Sequence, residues 1–383
     1  MPKIYLDYAA TTPLDPKVLR QMMPYLRKNF GNPSSIHSLG QKALQVVEES
    51  RQKVAKFLNC SEREIIFTGS ATEANNMAIK GLVKFGHIIT TKIEHHAISE
   101  PLKELEKEGV QVTYLPVDKD GVVILDELKK AIRKDTVLVS IMYANNEIGV
   151  VQPIAEIAKI IKEANEKTYF HTDAVQAVNY LDCDVKKLGV DLLTLSAHKI
   201  YGPKGVGALF IKKGTPLKSL IAGGGQEFDL RSGTENVAGI VGLASAIEEV
   251  QNPRIKLQNI KIRHLRDKLV KAVLRAIPDS QLNGSATYRL PNNANFTFKG
   301  AEGEALVIAL DQRGIEVSTG SACSSKVLEA SHVLLALGLS EEAAHGSLRV
   351  TLGRYTEEKD IEKFLRVLPQ VLQKLRKFSG YKL

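Results

Sequence analysis

The sequence predicts a two-domain α/β protein. A large domain is built on a mostly parallel seven-stranded sheet, and a smaller α/β domain accompanies it. Three observations predict this. Short apolar runs alternate with stretches of helical period through most of the chain. The chain has 383 residues, 44% of them hydrophobic, enough for two cores. After about Asn252 the pattern changes, without a Gly/Ser/Pro linker to separate the parts.

The strand-like runs are Glu64–Thr68, His87–Thr91, Gln111–Pro116, Val137–Met142, Tyr169–Thr172, Asp191–Ser196 and Val206–Ile211. Helical period fills Ala71–Lys84, Leu125–Arg133 and Ile154–Glu166 between them. Alternation of this kind gives βαβ units and a sheet covered by helices. Ligands of such sheets bind beyond the carboxyl ends of the strands. Past Asn252 come a long basic helix, a strand (Asn295–Phe298), a helix (Glu302–Arg313), a strand (Ile315–Ser318), a small-residue loop and a charged helix (Glu357–Lys377). The expected division is a large domain over 12–257, with 1–11 and 258–383 forming the small one.

Charged residues make up 25% of the chain. No apolar run is long enough to span a bilayer, and no secretory signal is visible. A cytoplasmic protein is expected. Three widely separated cysteines, Cys60, Cys183 and Cys323, argue against a disulfide framework or a structural metal site, so no metal is expected. The net charge is +9. Part of it is local: Gln251–Leu290 carries nine Lys or Arg against two Asp. Interleaved Leu257, Ile260, Leu265, Leu269 and Val273 suggest an amphipathic helix. A solvated face is the plain reading, and a docking surface for an acidic partner the sharper one. Apart from Tyr288 the segment lacks stacking aromatics, so direct nucleic-acid binding is not expected.

Three segments carry chemistry. Ser196-Ala-His-Lys-Ile-Tyr-Gly-Pro-Lys-Gly205 follows an apolar strand. A lysine just past a buried strand end is partly desolvated, which favours the neutral, nucleophilic amine. An ordinary turn lysine is the equal alternative. Phe170-His-Thr-Asp-Ala-Val-Gln176 ends a strand on Asp173, either a cap or the carboxylate that keeps a pyridine nitrogen protonated. Thr68-Gly-Ser-Ala-Thr-Glu-Ala-Asn75 is a small-residue turn opening a helix, either a cap or a phosphate cradle.

Taken together, these segments resemble a fold-type I pyridoxal-phosphate (PLP) enzyme of the aminotransferase class V branch. Further segments narrow the resemblance to cysteine desulfurases of the iron–sulfur cluster assembly type. They are Tyr5-Leu-Asp-Tyr-Ala-Ala-Thr-Thr-Pro13, Gly31-Asn-Pro-Ser-Ser-Ile-His37, Glu94-His95, Asn145-Asn-Glu-Ile-Gly149, Gly223-Gly-Gly-Gln-Glu227, Arg231-Ser-Gly-Thr234, Ser321-Ala-Cys-Ser324 and Leu348-Arg349. They run in the family's order over almost the whole chain.

The resemblance implies a role for each matching residue. Lys199 would carry PLP covalently, and Asp173 would pair with the pyridinium nitrogen. His95, rather than its neighbour His96, would stack on the ring and move protons. Asn146 and Gln176 would bond the ring's phenolic oxygen. Thr72, Ser196 and His198, with backbone N–H groups around Ala71, would hold the phosphate. Thr234 resembles a phosphate ligand donated by the other subunit of a homodimer. Arg349, with Asn146 beside it, would take the substrate carboxylate, a task that suits a guanidinium fork.

Cys323 sits in Ser318-Thr-Gly-Ser-Ala-Cys-Ser-Ser325, a small, polar stretch that predicts an exposed thiol. Cys60 and Cys183 sit beside apolar or acidic neighbours and read as structural. By resemblance, Cys323 would take sulfur from L-cysteine as a persulfide and leave alanine. A selenocysteine lyase, another aminotransferase-type reaction or a non-catalytic sulfur carrier remain alternatives. An iron–sulfur scaffold, a tRNA-thiolation relay or a cofactor pathway could accept the sulfur.

Overall fold

The computed structural model describes residues 3–320, 330–378 and 381. The chain opens on β1 (Ile4–Tyr5), then helices α1 (Pro16–Arg27) and α2 (Ser38–Leu58). Asp15 caps α1 through the Lys17 N–H, with Pro16 at the first helical position, and left-handed Asn59 ends α2. Next come β2 (Ile65–Thr68), α3 (Ala71–Lys80), β3 (His87–Thr91), α4 (His96–Lys107), β4 (Gln111–Leu115), α5 (Leu125–Ala131), β5 (Thr136–Ser140), α6 (Ile154–Ala164), β6 (Tyr169–Asp173), α7 (Val185–Leu188), β7 (Leu192–Ser196) and β8 (Gly207–Ile211). Helices α8 (Val237–Gln251) and α9 (Pro253–Ala276) follow. The remaining elements are β9 (Ser280–Leu282), β10 (Asn293–Phe298), α10 (Gly303–Asp311), β11 (Ile315–Glu316), α11 (His332–Ala336), α12 (Glu341–His345), β12 (Ser347–Thr351) and α13 (Glu358–Phe378).

Seven strands form one sheet in the order β2-β8-β7-β6-β5-β3-β4. Only β8 runs antiparallel, against both β2 and β7; every other pairing is parallel. All seven expected strands are present, and six of them are buried along almost their whole length. Burial on both faces is what helix-covered parallel strands require, and their Val/Ile/Leu-rich runs supply it. Helix α8 lies deep in the large unit, buried nearly all round, and packs on α1 and α2. The core of this part gathers Phe67, Ile89, Val139, Phe170, Leu193 and Phe210 from the strands.

A second core, with Phe296, Phe298, Leu306, Leu348 and Phe364, lies between the antiparallel sheet β9-β10-β12 and helices α9, α10 and α13. The chain's first strand belongs here: β1 pairs in parallel with β11, and Asp7 bridges Thr351.

Several boundaries differ from the sequence reading. Helix α3 stops at Lys80, leaving six residues before β3 rather than a short Phe85-Gly86 link. The basic helix stops at Ala276, where Pro278 follows within two residues. Its buried stripe is Ile255, Ile262, Leu265, Leu269 and Val273, while Leu257 and Ile260 are exposed, contrary to the expected face. Two of the nine basic residues are interior: Arg266 donates to the Leu290 carbonyl, and Arg289 to the carbonyls of Ser285 and Gly284. The basic surface is therefore smaller than composition implies. Among the described residues no helix is long and apolar enough to cross a membrane.

Candidate active site

The site lies where strand ends converge, and each end contributes for a local reason. Strand β2 runs out at Thr68, and Ser70 then caps α3 by accepting from the Glu73 N–H at 3.1 Å. Glu73 returns the favour, accepting from the Gly69 N–H at 2.8 Å. Strand β8 passes close to this turn at Gly207, where a Cβ would meet the Leu195 carbonyl oxygen at 2.8 Å and the Ser70 carbonyl carbon at 2.9 Å. Only glycine allows that approach. Strand β3 leads into His95, which caps α4: its Nδ1 accepts from the Ala97 N–H at 3.0 Å. Strand β6 ends on Asp173, and β7 runs into a single helical turn holding His198 and Lys199.

These ends line one cavity of about 290 Å³. Asp173 lies nearly buried on one wall, its carboxylate accepting from Asn75 Nδ2 at 2.7 Å and the Val175 N–H at 2.9 Å. Lys199 Nζ donates to the carbonyls of Ala9 and Ala10, both at 2.7 Å. Gln176 Nε2 donates to the Ala9 carbonyl at 3.0 Å. Arg349, 2% exposed, donates from Nη2 to Asp7 Oδ1 at 2.8 Å and from Nη1 to the Asn146 carbonyl at 2.9 Å.

Burial sets the protonation of the histidines. It lowers the pKa of His95; the Asp173 charge opposes this and Lys199 adds to it. The neutral imidazole that results keeps its proton on Nε2, because Nδ1 is occupied as an acceptor. His198 falls to about 4, first by burial and then by Lys199 and Lys204. Its Nδ1 stands 3.1 Å from Thr11 Oγ1.

Glu94 behaves oppositely. Fully enclosed, its carboxyl is pushed up to about 8 by burial, with the Asp173 charge a minor further push. Oε1 accepts from Thr91 Oγ1 at 2.7 Å and the Met142 N–H at 3.0 Å, whereas Oε2 is buried without a partner. A group raised by burial favours the folded state fully below its unfolded value near 4.5, and that contribution is lost as pH rises through about 8. Glu94→Gln mimics the protonated acid and keeps an acceptor for Thr91 and Met142. The variant should come within about 1 kcal/mol of the parent's stability at pH 5 and exceed it above pH 8 by roughly 5 kcal/mol. Parallel melting curves across that range would check this; equal losses at both ends would refute it.

The structure brings together most of the residues read from the sequence. Lys199, His95, Asp173, Asn146, Gln176, Arg349, Ser196, His198, Ala71 and Thr72 all line the cavity. His96 lines it as well, so the two neighbouring histidines both reach it. Thr234 does not: it is exposed and lines a separate small hollow with Phe67 and Arg231. Cys323 lies outside the described residues. Gly320 and His332, on either side of residues 321–329, both line the cavity.

Sequence reading missed five contributors. Asn75 sits within the motif that opens α3, one turn past Thr72, where helical spacing alone could have placed it inward. Glu94 adjoins the singled-out histidine. Asp7 and the Ala9 and Ala10 carbonyls belong to the N-terminal motif, but only the tertiary fold shows that they touch Arg349 and Lys199. Burial pushes the thiols of Cys60 and Cys183 up to about 12, which suits the structural reading.

The donor set fits PLP. A lysine amine, a buried carboxylate and a small-residue helix start share one cavity. Polar atoms of Asn75, Glu94 and Arg349 on its wall are buried with no partner among the described residues.

Known proteins match closely. The class V aminotransferase family pattern spans residues 4–364. A cysteine desulfurase IscS of Dictyoglomus turgidum is 54% identical over 385 residues, covering 99% of this chain and 97% of that protein. Among solved structures, a NifS-like protein superposes with a TM-score of 0.91 at 40% identity, covering 97% of this chain and all of the other. A protein described as SspA in complex with cysteine superposes at 0.80 with 37% identity, covering 92% of this chain and all of the other.

Proposed function

The chain belongs to the class V aminotransferases, among their cysteine desulfurases, and we propose that it converts L-cysteine to L-alanine while passing the sulfur to Cys323 as a persulfide. The observation that carries this is the convergence of Lys199, Asp173 and Arg349 on one cavity that Gly320 and His332 also line. A structural relative solved with cysteine supports the substrate.

Members of this family are PLP enzymes. In this chain Lys199 would hold PLP covalently, Asp173 would face its ring nitrogen, and His95 its ring. Asn146 and Gln176 would meet the phenolic oxygen, and Thr72, Ser196, His198 and the Ala71 N–H the phosphate. PLP, when bound, draws electron density from the substrate's α-carbon and so loosens the bond from β-carbon to sulfur. Arg349 binds and orients the substrate carboxylate. The Asp173 carboxylate is held deep in the cavity by hydrogen bonds from the Asn75 amide and the Val175 N–H. His95 holds one proton at Nε2 and exchanges it with the substrate. The Cys323 thiolate attacks the substrate sulfur: a sulfur–sulfur bond forms, the carbon–sulfur bond breaks, and the electron pair left on carbon is protonated to give alanine.

Neutral His95 implies a pH profile. Its pKa is lowered by burial, so protonation should disable it only below its ordinary value of 6.5. The acid limb of kcat/KM should therefore fall below pH 6.5; a limb above that would refute the assignment.

Thr234, exposed and outside the lining of its own cavity, suits a phosphate ligand donated to a second copy in a homodimer. We further propose a cytoplasmic protein whose persulfide serves an iron–sulfur scaffold or other acceptor. The large domain would span 12–257, with 1–11 and 258–383 as the small one. Sulfide and alanine measured together, from purified protein given L-cysteine and a reducing thiol, test the reaction. Equal yields support it, and neither product from PLP-loaded protein sinks it.

A further inference from the structure

Arg349 does not wait in the cavity as an isolated cation. Its side chain is almost fully enclosed, and three acceptors share it among the described residues: Asp7 Oδ1 on Nη2 at 2.8 Å, and the carbonyls of Asn146 at 2.9 Å and Gly320 at 3.3 Å on Nη1. Among the described residues Nε is buried and has no partner. Nη2 keeps a second N–H. Nε and Nη2 lie on one edge of the guanidinium, the edge that grips a carboxylate with two parallel hydrogen bonds.

The placement of Asp7 is structural, not incidental. Asp7 sits at the bridge to Thr351, its side chain 18% exposed, and Tyr5 Oη donates to its carbonyl at 2.9 Å. The Leu6 carbonyl accepts from the Thr351 N–H at 2.8 Å, which fixes the backbone on the other side. The carboxylate is thus held against Arg349 by the same pairing that joins the chain's first residues to β12.

We propose that Asp7 is a positioning residue that acts through Arg349 to weaken the site's hold on amino-acid carboxylates. A ligand carboxylate that takes Nε and Nη2 must share Nη2 with Asp7, so two like charges flank one guanidinium. The repulsion is felt in low-dielectric surroundings and lowers affinity. Substrate and product carry the same α-carboxylate, so both are weakened alike. This changes KM and product release without changing the chemical step. The site then holds cysteine only as tightly as turnover needs, and lets alanine go.

The inference rests on the proposed role of Arg349, and the experiment separates the two. Binding of L-alanine to the PLP-loaded enzyme would be titrated for the parent, Asp7→Asn and Arg349→Gln, with L-alaninamide as a ligand lacking the carboxylate. Asp7→Asn keeps shape and acceptor but removes the charge. It should bind alanine more tightly, on the order of tenfold, with no gain for alaninamide, and should lower KM for cysteine by a similar factor. A purely structural role would weaken binding instead. Unchanged or weaker alanine binding in Asp7→Asn, with Arg349→Gln weakened, overturns the proposal and leaves Arg349 as the carboxylate ligand. No effect of Arg349→Gln overturns both. Unaltered cofactor absorbance and melting temperature in Asp7→Asn show that the variant is folded.

Discussion

Lys199→Ala should lose turnover of L-cysteine by a factor on the order of 10⁴ or more, the scale seen when a covalent nucleophile is removed. Among the described residues Lys199 is the one lysine lining the cavity, and the carbonyls of Ala9 and Ala10 lie within hydrogen-bond reach of its amine. No other described lysine lines that wall to substitute for it. Both of these acceptors are backbone groups, so losing the amine at these two contacts strands no charge. Lys199→Arg separates charge from chemistry. It keeps the cation but has no transferable amine, and it should be as inactive as the alanine variant. More than about a tenth of parental activity in Lys199→Arg would show that the lysine serves only as a charge, against the covalent role.

Cys323→Ser should abolish both products, with a loss on the order of 10³ or more. The argument rests on the two thiols that remain. Burial pushes Cys60 and Cys183 up to about 12, so on the order of one molecule in 10⁵ carries a thiolate at pH 7. Neither lines the cavity. No other thiol can take the sulfur, and a serine hydroxyl is not ionised at that pH. Sulfide and alanine should fall together while alanine binding persists. Full activity in Cys323→Ser would remove the persulfide step and leave the Lys199 assignment standing.

The sheet was legible in the sequence because its strands are continuous apolar runs closed by polar clusters. All seven were found, and their polar ends hold the site. The antiparallel direction of β8 was not legible, since direction leaves no mark on an apolar run of five residues. The N-terminal helix α1 went unread. So did the inward side of α9, where Arg266 reaches the Leu290 carbonyl and behaves as a core residue. A buried arginine carries the same letter as a solvated one. Most site residues came from motifs. Asp7 and Asn75 were present in those motifs, yet their roles are contacts at sequence separations of 342 and 98, which no local pattern encodes.

The N-terminal segment has a consequence for how the protein is made. Its Asp7 meets Arg349 across almost the entire chain, and its Ala9 and Ala10 carbonyls meet Lys199 across about half of it. A ribosome extends a chain towards its C-terminus, so this segment emerges well before its partners and must wait for them. The large sheet can close while β12 is still unsynthesised, but the carboxylate grip cannot exist until Arg349 has left the exit tunnel. Contacts so distant in sequence form late and slowly. Catalytic competence should therefore appear as the last event of biogenesis, after the bulk of the secondary structure, and nascent chains cut short before β12 should be unable to process an amino acid.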